Sequence, residues 1–324
     1  ALRPLKFHPI LKQTLWGGER IIPYKELASE LSRVGESWEL SGMPGSESVV
    51  AEGPWTGSTL PELIGRFGAE LLGKANYARF GQEFPLLVKF IDAREDLSIQ
   101  VHPDDELARK RHGKSGKCEM WYVLEAEPGA SLLTGFSRPI APAEYERRVA
   151  DNTLTDVLNR QAIASGDVFY LPAGRVHSIG KGSFIVEIQQ SSDITYRIYD
   201  FDRRDAAGNS RELHTELARE AIDFESSENS RITYAPENNQ EVRLVTTPYF
   251  TTSLYTLTAR TRCDWSATDS FVAIVLLQGS GSLTDNEGNR IDVRQGETWL
   301  LPASTQWTEI TPHTAPLRLL TSRI

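Results

Sequence analysis

SGDVFYLPAGRVHSIG, at residues 165–180, is the most informative segment of this chain for its fold. It ends an apolar run at a Pro-Ala-Gly turn and places His177 just beyond that turn. A second copy, QGETWLLPAS, occupies residues 295–304, and both copies read glycine, acid, any residue, aromatic, hydrophobic, Leu, Pro, Ala. An internal repeat of this kind predicts two copies of one β-barrel unit. Trp307 stands five residues after the second proline, where the first copy has His177, so we expect the second copy to be structural.

Strands dominate the pattern outward from this repeat, which predicts a mainly β protein. Helical signals are fewer, and the clearest is a capping box of Thr59 and Glu62 before an apolar stripe at helical spacing. Other short helices are predicted at residues 103–112, 142–150 and 212–222. The predicted strands are residues 85–91, 98–102, 120–124, 167–171, 184–190, 249–257, 271–277, 291–293 and 298–301.

The chain divides around a polar, Ser- and Asn-rich stretch at residues 205–240, which contains one amphipathic helix. Such a composition is typical of a connector. We therefore expect an N-terminal catalytic domain at residues 1–204, the connector, and a degenerate C-terminal domain at residues 241–324.

Composition excludes several classes of protein. The 324 residues carry a net charge of −9 with no basic run, which argues against nucleic acid as a partner. No apolar run approaches the roughly 18 residues that a membrane span requires. Only two cysteines occur, Cys118 and Cys263, and no secretory signal precedes the first motif, which predicts a cytoplasmic protein. An acidic protein that binds an anionic substrate must gather its cations in one cleft.

Four polar residues are candidate metal ligands. Gln100 and His102 are two apart in a strand and so point to the same face. Glu119 begins the next strand, and His177 follows the Pro-Ala-Gly turn. Two imidazoles, a carboxylate and an amide oxygen suit Zn²⁺, and with less preference Mn²⁺, Fe²⁺ or Ni²⁺. The remaining histidines are interpreted as ordinary hydrogen-bonded residues: His8, His112, His214 and His313.

Longer phrases around these residues resemble a known family. QVHPDDELA, GKCEMWYVL, GDVFYLPAGRVHSIG and IQQSSDITYRIYDFDR are similar to phrases of the class I mannose-6-phosphate isomerases in their short bacterial form. LWGG at residues 15–18 and GESWELSG at residues 35–42 also match the N-terminal phrases of that family. The resemblance runs from about residue 5 to the C-terminus and weakens after Asp205.

The resemblance implies a bicupin, that is, two jelly-roll β-barrels with a few short helices. It implies one zinc ion per chain, at the four candidate ligands, and interconversion of mannose 6-phosphate and fructose 6-phosphate. Arg197 matches the active-site arginine of the family in the phrase S-D-x-T-Y-R. Ile194 departs from the family, since many relatives have Asn there; the departure concerns the local hydrogen bonding, and we expect its effect to be small.

An aldose–ketose isomerisation moves a proton between C1 and C2, and therefore needs a base close to the carbon. Ile185, Glu187 and Gln189 share one face of the predicted strand FIVEIQQ. A charged side chain among such apolar neighbours is unlikely to be buried unpaired. Glu187 is therefore either the acid/base group facing the barrel cavity or a structural partner of an arginine such as Arg175.

Several cations are candidates for substrate contacts. Lys117 lies two residues before the candidate ligand Glu119. It either shares the face of that ligand or is a solvated loop lysine. Lys89 interrupts an apolar strand and is either snorkelling at a sheet edge or aimed at an anion in the cavity. Arg197 suits a phosphate or enediolate because its fork binds two oxygens at once. Ser98 and Asp193 complete the predicted substrate-binding set. We do not expect Cys118 to be a catalytic thiol, since no activating partner is evident near it.

Three alternatives stay open at this point. The scaffold could isomerise another sugar phosphate, such as glucose 6-phosphate, or bind a sugar phosphate without catalysis. A metal-dependent dioxygenase is less favoured because only the metal set would suit oxygen chemistry. The partner is a small-molecule sugar phosphate in the favoured case, and the oligomeric state is open between monomer and dimer.

Overall fold

The computed structural model describes residues 2–225 and 229–324, so residue 1 and residues 226–228 of the predicted connector lie outside the described residues. The described residues are mainly β, which confirms the predicted fold class. Every ladder between named strands is antiparallel, as expected for alternating runs joined by Gly- and Asn-rich turns.

The first unit consists of two sheets that face each other. One has seven strands and the other has five. The strands from the N-terminus to the connector are β1 (Leu5–Lys6), β2 (Ile10–Gly18), β3 (Val34–Leu40), β4 (Leu86–Asp92), β5 (Ile99–Val101), β6 (Glu119–Ala126), β7 (Ser131–Phe136), β8 (Leu158–Ala162), β9 (Val168–Leu171), β10 (His177–Ile179), β11 (Ser183–Gln190), β12 (Tyr196–Tyr199) and β13 (Arg231–Ile232). Sheet 1 has the order β13-β9-β6-β11-β4-β3-β2, and sheet 2 has the order β12-β5-β10-β7-β8. Strand β1 belongs to neither of them and joins a sheet of the second unit.

The second unit also has two sheets. Its strands are β14 (Val242–Thr246), β15 (Thr251–Leu257), β16 (Thr261–Asp264), β17 (Val272–Gln278), β18 (Ser280–Asp285), β19 (Arg290–Arg294), β20 (Thr298–Leu301), β21 (Trp307–Pro312) and β22 (Leu317–Arg323). One sheet has the order β1-β20-β17-β22-β15-β14, and the other has the order β16-β21-β18-β19.

The two units repeat one strand arrangement. The order β9-β6-β11-β4 in the first unit corresponds to β20-β17-β22-β15 in the second, and β5-β10-β7-β8 corresponds to β16-β21-β18-β19. The repeated sequence phrase forms β9 in one unit and β20 in the other. The next strand begins at His177 in the first unit and at Trp307 in the second. The predicted bicupin is therefore confirmed, with the histidine replaced at the equivalent position.

The helices are short and lie between strands. They are α1 (Ile21–Tyr24), α2 (Leu60–Phe67), α3 (Ala69–Leu72), α4 (Lys74–Phe80), α5 (Asp105–His112), α6 (Pro142–Ala150) and α7 (Thr215–Ala221). The capping box of Thr59 and Glu62 begins α2 as predicted. Helix α7 begins at Thr215, three residues later than the predicted 212, and the amide of His214 just before it donates to the carbonyl oxygen of Arg197 in β12. Among the described helices, none is long and apolar enough to cross a membrane.

The two units pack through a shared apolar core. Phe84 and Phe271, one from each unit, have ring centroids 4.8 Å apart. Leu5 of β1 pairs with Leu300 of β20, so the N-terminal strand extends the sheet of the second unit. The connector strand β13 instead pairs with β9 of the first unit. The division at residues 1–204, 205–240 and 241–324 remains a proposal, and these two pairings cross it.

Candidate active site

Sheet 2 presents a row of polar side chains on one face. Directly opposed residues of an antiparallel pair point to the same side. Gln100 is opposed to His177 on one side and to Arg197 on the other, and His177 is in turn opposed to Thr134. The order across the sheet is therefore Arg197, Gln100, His177, Thr134.

Sheet 1 presents a matching row. Glu187 is opposed to Trp121 on one side and to Lys89 on the other, and Lys89 is opposed to Trp38. Glu119 lies two residues before Trp121 on the same face of β6. The two rows face each other, because Glu119 of sheet 1 contacts the histidines that line sheet 2.

The centre of the site is a buried cluster of His102, Glu119 and His177. Glu119 Oε1 lies 3.1 Å from His177 Nε2, and Glu119 Oε2 lies 3.5 Å from His102 Nε2. The three ligand atoms lie within 4.8 Å of one another. All three side chains are at most 2% exposed. The structure thus brings together three of the four predicted ligands at a spacing that a single ion could bridge.

The outward nitrogen of each imidazole fixes the tautomer of its ring. His102 Nδ1 lies 2.9 Å from the carbonyl oxygen of Ile194, and His177 Nδ1 lies 2.8 Å from that of Arg175. A carbonyl oxygen can only accept, so both Nδ1 atoms carry the proton and donate. The Nε2 lone pairs then point into the cluster, the arrangement found in metal-binding histidines. His102 bonds to the main chain of Ile194, so this hydrogen bond is available although Ile stands where many relatives have Asn.

The cluster has the properties that a divalent cation requires. His102 Nε2 and both oxygens of Glu119 are buried and have no hydrogen-bond partner among the described residues. Buried polar atoms are normally paired, so three orphaned atoms facing one point indicate a ligand. Burial, and next Lys117, lower the pKa of His102 to about 3, which keeps this ring neutral. Burial alone would raise the pKa of Glu119, but Lys117 and the two imidazoles hold it well below its ordinary value. The donor set is therefore two imidazole nitrogens and one carboxylate, which fits a metal ion.

Gln100, the fourth predicted ligand, lies beside this cluster. Its Nε2 is 3.5 Å from His177 Nε2, and its Oε1 accepts a 3.4 Å hydrogen bond from Ser98 Oγ. Rotation of the amide by 180° would present the oxygen to the cluster instead. Ser98 is buried and positions the amide, so the structure places it next to a candidate ligand.

Lys89 lies inside the first unit between two carboxylates. Its Nζ is 3.5 Å from Glu36 Oε1 and 3.6 Å from Glu187 Oε1, and its side chain is 7% exposed. The possibility that Lys89 snorkels at a sheet edge is therefore wrong, because β4 pairs on both sides with β11 and β3. Burial would lower the pKa of Lys89, but the two carboxylates raise it above its ordinary value, so the ammonium is retained.

The two carboxylates that share Lys89 differ in pKa. Burial, and next the negative charge of Glu119, raise the pKa of Glu187. Burial also acts on Glu36, but Lys89 and the indole of Trp38 lower its pKa below the ordinary value. Trp121 Nε1 donates a 2.9 Å hydrogen bond to Glu187 Oε2 and fixes its orientation. Carboxylates whose environments separate their pKa values take different roles in acid–base chemistry.

The structure places the other candidates as follows. Lys117 is buried with its Nζ 3.5 Å from Glu119 Oε2, so the solvated-loop interpretation is wrong. Arg197 lies in the polar row, and its Nη1 donates to the carbonyl oxygen of Glu212 at 3.0 Å. Asp193 is not brought to the cluster, since its exposed carboxylate lies 3.2 Å from Lys114 Nζ at the surface. Burial raises the pKa of Cys118 to about 12, which agrees with a structural thiol.

Sequence analysis missed several residues of the site. Glu36 and Trp38 alternate in the phrase GESWELSG, so their common face was readable, but their contact with Lys89 depends on strand register. Thr134 Oγ1 and Gln189 Oε1 are buried and have no hydrogen-bond partner among the described residues. Thr134 gave no sequence signal, because only its position opposite His177 brings it into the row.

Fold and site together define a class of protein. A repeated jelly-roll unit that encloses two histidines and a glutamate, with their donor atoms turned inwards, is a cupin with a candidate metal centre. The second unit carries Trp307 at the histidine position, so the candidate centre lies in the first unit alone among the described residues.

Comparisons with known proteins narrow this class. The family model "phosphomannose isomerase type I, catalytic domain" matches residues 5–133. The chain is 34% identical over 303 residues to the probable mannose-6-phosphate isomerase GmuF of Bacillus subtilis, across 93% of both chains. It is 33% identical to the mannose-6-phosphate isomerase of Streptococcus mutans, across 92% of both. A crystal structure of the mannose 6-phosphate isomerase from Bacillus subtilis superposes with a TM-score of 0.89, at 30% identity over 99% of both chains.

The chain therefore belongs to the mannose-6-phosphate isomerase family, which confirms both the resemblance and the prediction of an enzyme of that family.

Proposed function

We propose that this protein is a zinc-dependent isomerase that interconverts mannose 6-phosphate and fructose 6-phosphate. One observation supports catalysis over binding: the candidate metal cluster lies beside Glu187, a buried carboxylate with a raised pKa that shares the inner face of sheet 1 with Glu119. A non-catalytic binding protein needs cations for the phosphate but has no use for a base. The relatives that carry the name of this activity match nearly the whole chain.

His102, Glu119 and His177, with Gln100 after rotation of its amide, would hold the zinc ion. When bound, such an ion would supply Lewis acidity to the oxygens of the substrate. Glu187 removes the proton from one carbon and returns it to the neighbouring one, since its raised pKa lies closer to neutral pH than that of an ordinary glutamate. Trp121 and Lys89 hold its two oxygens in place.

Three cations lie around the candidate site and interact with the negative charge of the substrate. Lys117 and Lys89 are buried ammonium groups on the sheet 1 side, and Arg197 lies on the sheet 2 side. Thr134 Oγ1 and Gln189 Oε1 are orphaned polar atoms that suit sugar hydroxyls. We further propose that it acts in the cytoplasm, which agrees with the two buried free thiols.

A coupled assay tests this function. Mannose 6-phosphate and fructose 6-phosphate should interconvert, and a chelator should abolish the reaction until zinc is restored. Glucose 6-phosphate in the same assay should turn over far more slowly. Tight binding of mannose 6-phosphate without turnover in the zinc-loaded protein would instead favour the non-catalytic binding protein.

The pH dependence tests the assignment of Glu187 as the base. The base must be ionised, so kcat should fall as the pH drops through its pKa, which is raised above the ordinary value of about 4.3. Glu187→Gln keeps the shape of the side chain and should lower kcat by about 10²–10⁴-fold. Steady-state kinetics across pH, on the zinc-loaded parent and the zinc-loaded Glu187→Gln variant, would measure both effects.

Glu36→Gln is the matched control, since Glu36 and Glu187 lie at similar distances from Lys89. If Glu187 is the base, the Glu36 variant should lose much less activity and keep the acidic limb of the profile. Equal losses in both variants would mean that Glu187 only holds Lys89, and the assignment would fail.

A further inference from the structure

The chain turns back on itself directly after β12. Phe201 and Asp202 adopt left-handed backbone angles, with φ of +58° and +52°. Two consecutive non-glycine residues in this region are unfavourable and persist only where the surroundings impose them. After this turn, residues 211–214 run back along the free edge of β12, where the amide of His214 donates to the carbonyl oxygen of Arg197 at 2.7 Å.

The turn is held by one buried carboxylate. Asp200, which is 5% exposed, accepts hydrogen bonds from Arg211 at 2.9 Å to Oδ2 and 2.6 Å to Oδ1. Arg203 Nη2 donates to the same Oδ1 at 2.8 Å, and its Nη1 donates to the carbonyl oxygen of Asp96 at 2.6 Å. A guanidinium that binds both oxygens of a carboxylate fixes distance and orientation together. Arg211 thereby anchors the start of the returning segment to the end of β12.

The returning segment in turn holds Arg197. The amide of Arg197 donates to His214 Nδ1 at 3.1 Å, and its guanidinium Nη1 donates to the carbonyl oxygen of Glu212 at 3.0 Å. Glu212 follows Arg211 directly, so the position of that carbonyl depends on the anchored residue. Arg197 Nε is buried and has no hydrogen-bond partner among the described residues, which leaves a donor for a substrate.

We propose that Arg211, bound to Asp200, is a positioning residue that fixes the guanidinium of Arg197 through the carbonyl group of Glu212. This inference rests on the proposal that Arg197 stabilises the charge that develops in the transition state of the isomerisation. Arg211 does not belong to the polar row and acts only through the segment that it anchors.

The kinetics of Arg211→Ala test this inference in the full-length, zinc-loaded protein. We expect kcat to fall about tenfold with little change in KM, because a displacement of about 1 Å in a catalytic group can cost up to 10²-fold. Arg211→Lys keeps the charge but not the two-pronged contact and should lose less. Arg204→Ala is the matched control, since Arg204 lies in the same segment and its Nη1 donates to the carbonyl oxygen of Gly208. Its kcat should equal that of the parent.

A double-mutant cycle separates positioning from general stability. In an Arg197→Ala background, Arg211→Ala should cause no further loss of kcat, because the group that it positions is gone. Additive losses, or a lower melting temperature with unchanged kcat, would overturn the inference while leaving the role of Arg197 intact. Parental kinetics of Arg197→Ala alone would refute that role and the inference with it. If Arg211→Ala does not fold, Arg211→Lys supports the same cycle.

Discussion

The purified protein is expected to carry about one divalent ion per chain, and His102→Ala and His177→Ala are each expected to lose it. Loss of a residue that only hydrogen-bonds to a metal ligand lowers metal affinity by about 10–100-fold. Loss of a ligand itself should therefore lower the affinity by more than about 100-fold. Activity should fall with occupancy, since the Lewis acid contributes several kcal/mol of charge stabilisation. Elemental analysis and the coupled assay on the same samples would measure both.

His112→Ala is the matched control for this experiment. His112 belongs to the first unit, but its Nε2 lies 2.8 Å from the hydroxyl of Tyr196 and it takes no part in the cluster. This variant should keep the ion and the activity. Full occupancy in both ligand variants would contradict the assigned site. A second stoichiometric ion that survives the replacement of both histidines would contradict the expectation that the second unit, with Trp307 at the equivalent position, binds no metal.

The cluster of His102, Glu119 and His177 could be predicted because each of these residues lies in a short phrase that determines its local geometry. Gln100 and His102 share a strand face by simple alternation, and the Pro-Ala-Gly turn fixes where His177 begins the next strand. The convergence of these phrases on Glu119 depends on the fold, and the internal repeat predicted that fold. Local pattern and tertiary structure agree here, as they do in most well-specified proteins.

Other features depend on pairing between distant segments, which a single sequence does not reveal. Lys89 was ambiguous because the sequence does not show that β4 lies inside its sheet, and Glu36 was missed for the same reason. The pairing of Leu5 with Leu300 joins the two ends of the chain without any sequence signal. Asp193 was predicted from its place in a polar phrase, but its side chain points to the surface.

Arg197→Ala separates two roles of this arginine, stabilisation of the transition state and anchoring of the phosphate. The side chain lies beside Gln100 in the polar row of sheet 2, with one N–H group bound to the carbonyl oxygen of Glu212 and the Nε donor orphaned. A preorganised donor that stabilises charge developing only in the transition state is worth about 10²–10³ in kcat. We therefore expect kcat to fall by about that factor while KM changes little and the zinc content stays that of the parent.

The alternative role of Arg197 predicts the opposite kinetic pattern. If the guanidinium only anchors the phosphate, it binds substrate and transition state equally, so KM should rise with kcat nearly intact. Arg197→Lys helps to distinguish the two, because a lysine can replace a point charge on a phosphate but not a fixed, forked donor. Lysine should therefore restore KM in the anchoring case and leave kcat low in the transition-state case. Parental kinetics in a folded, zinc-loaded Arg197→Ala protein would reject both roles.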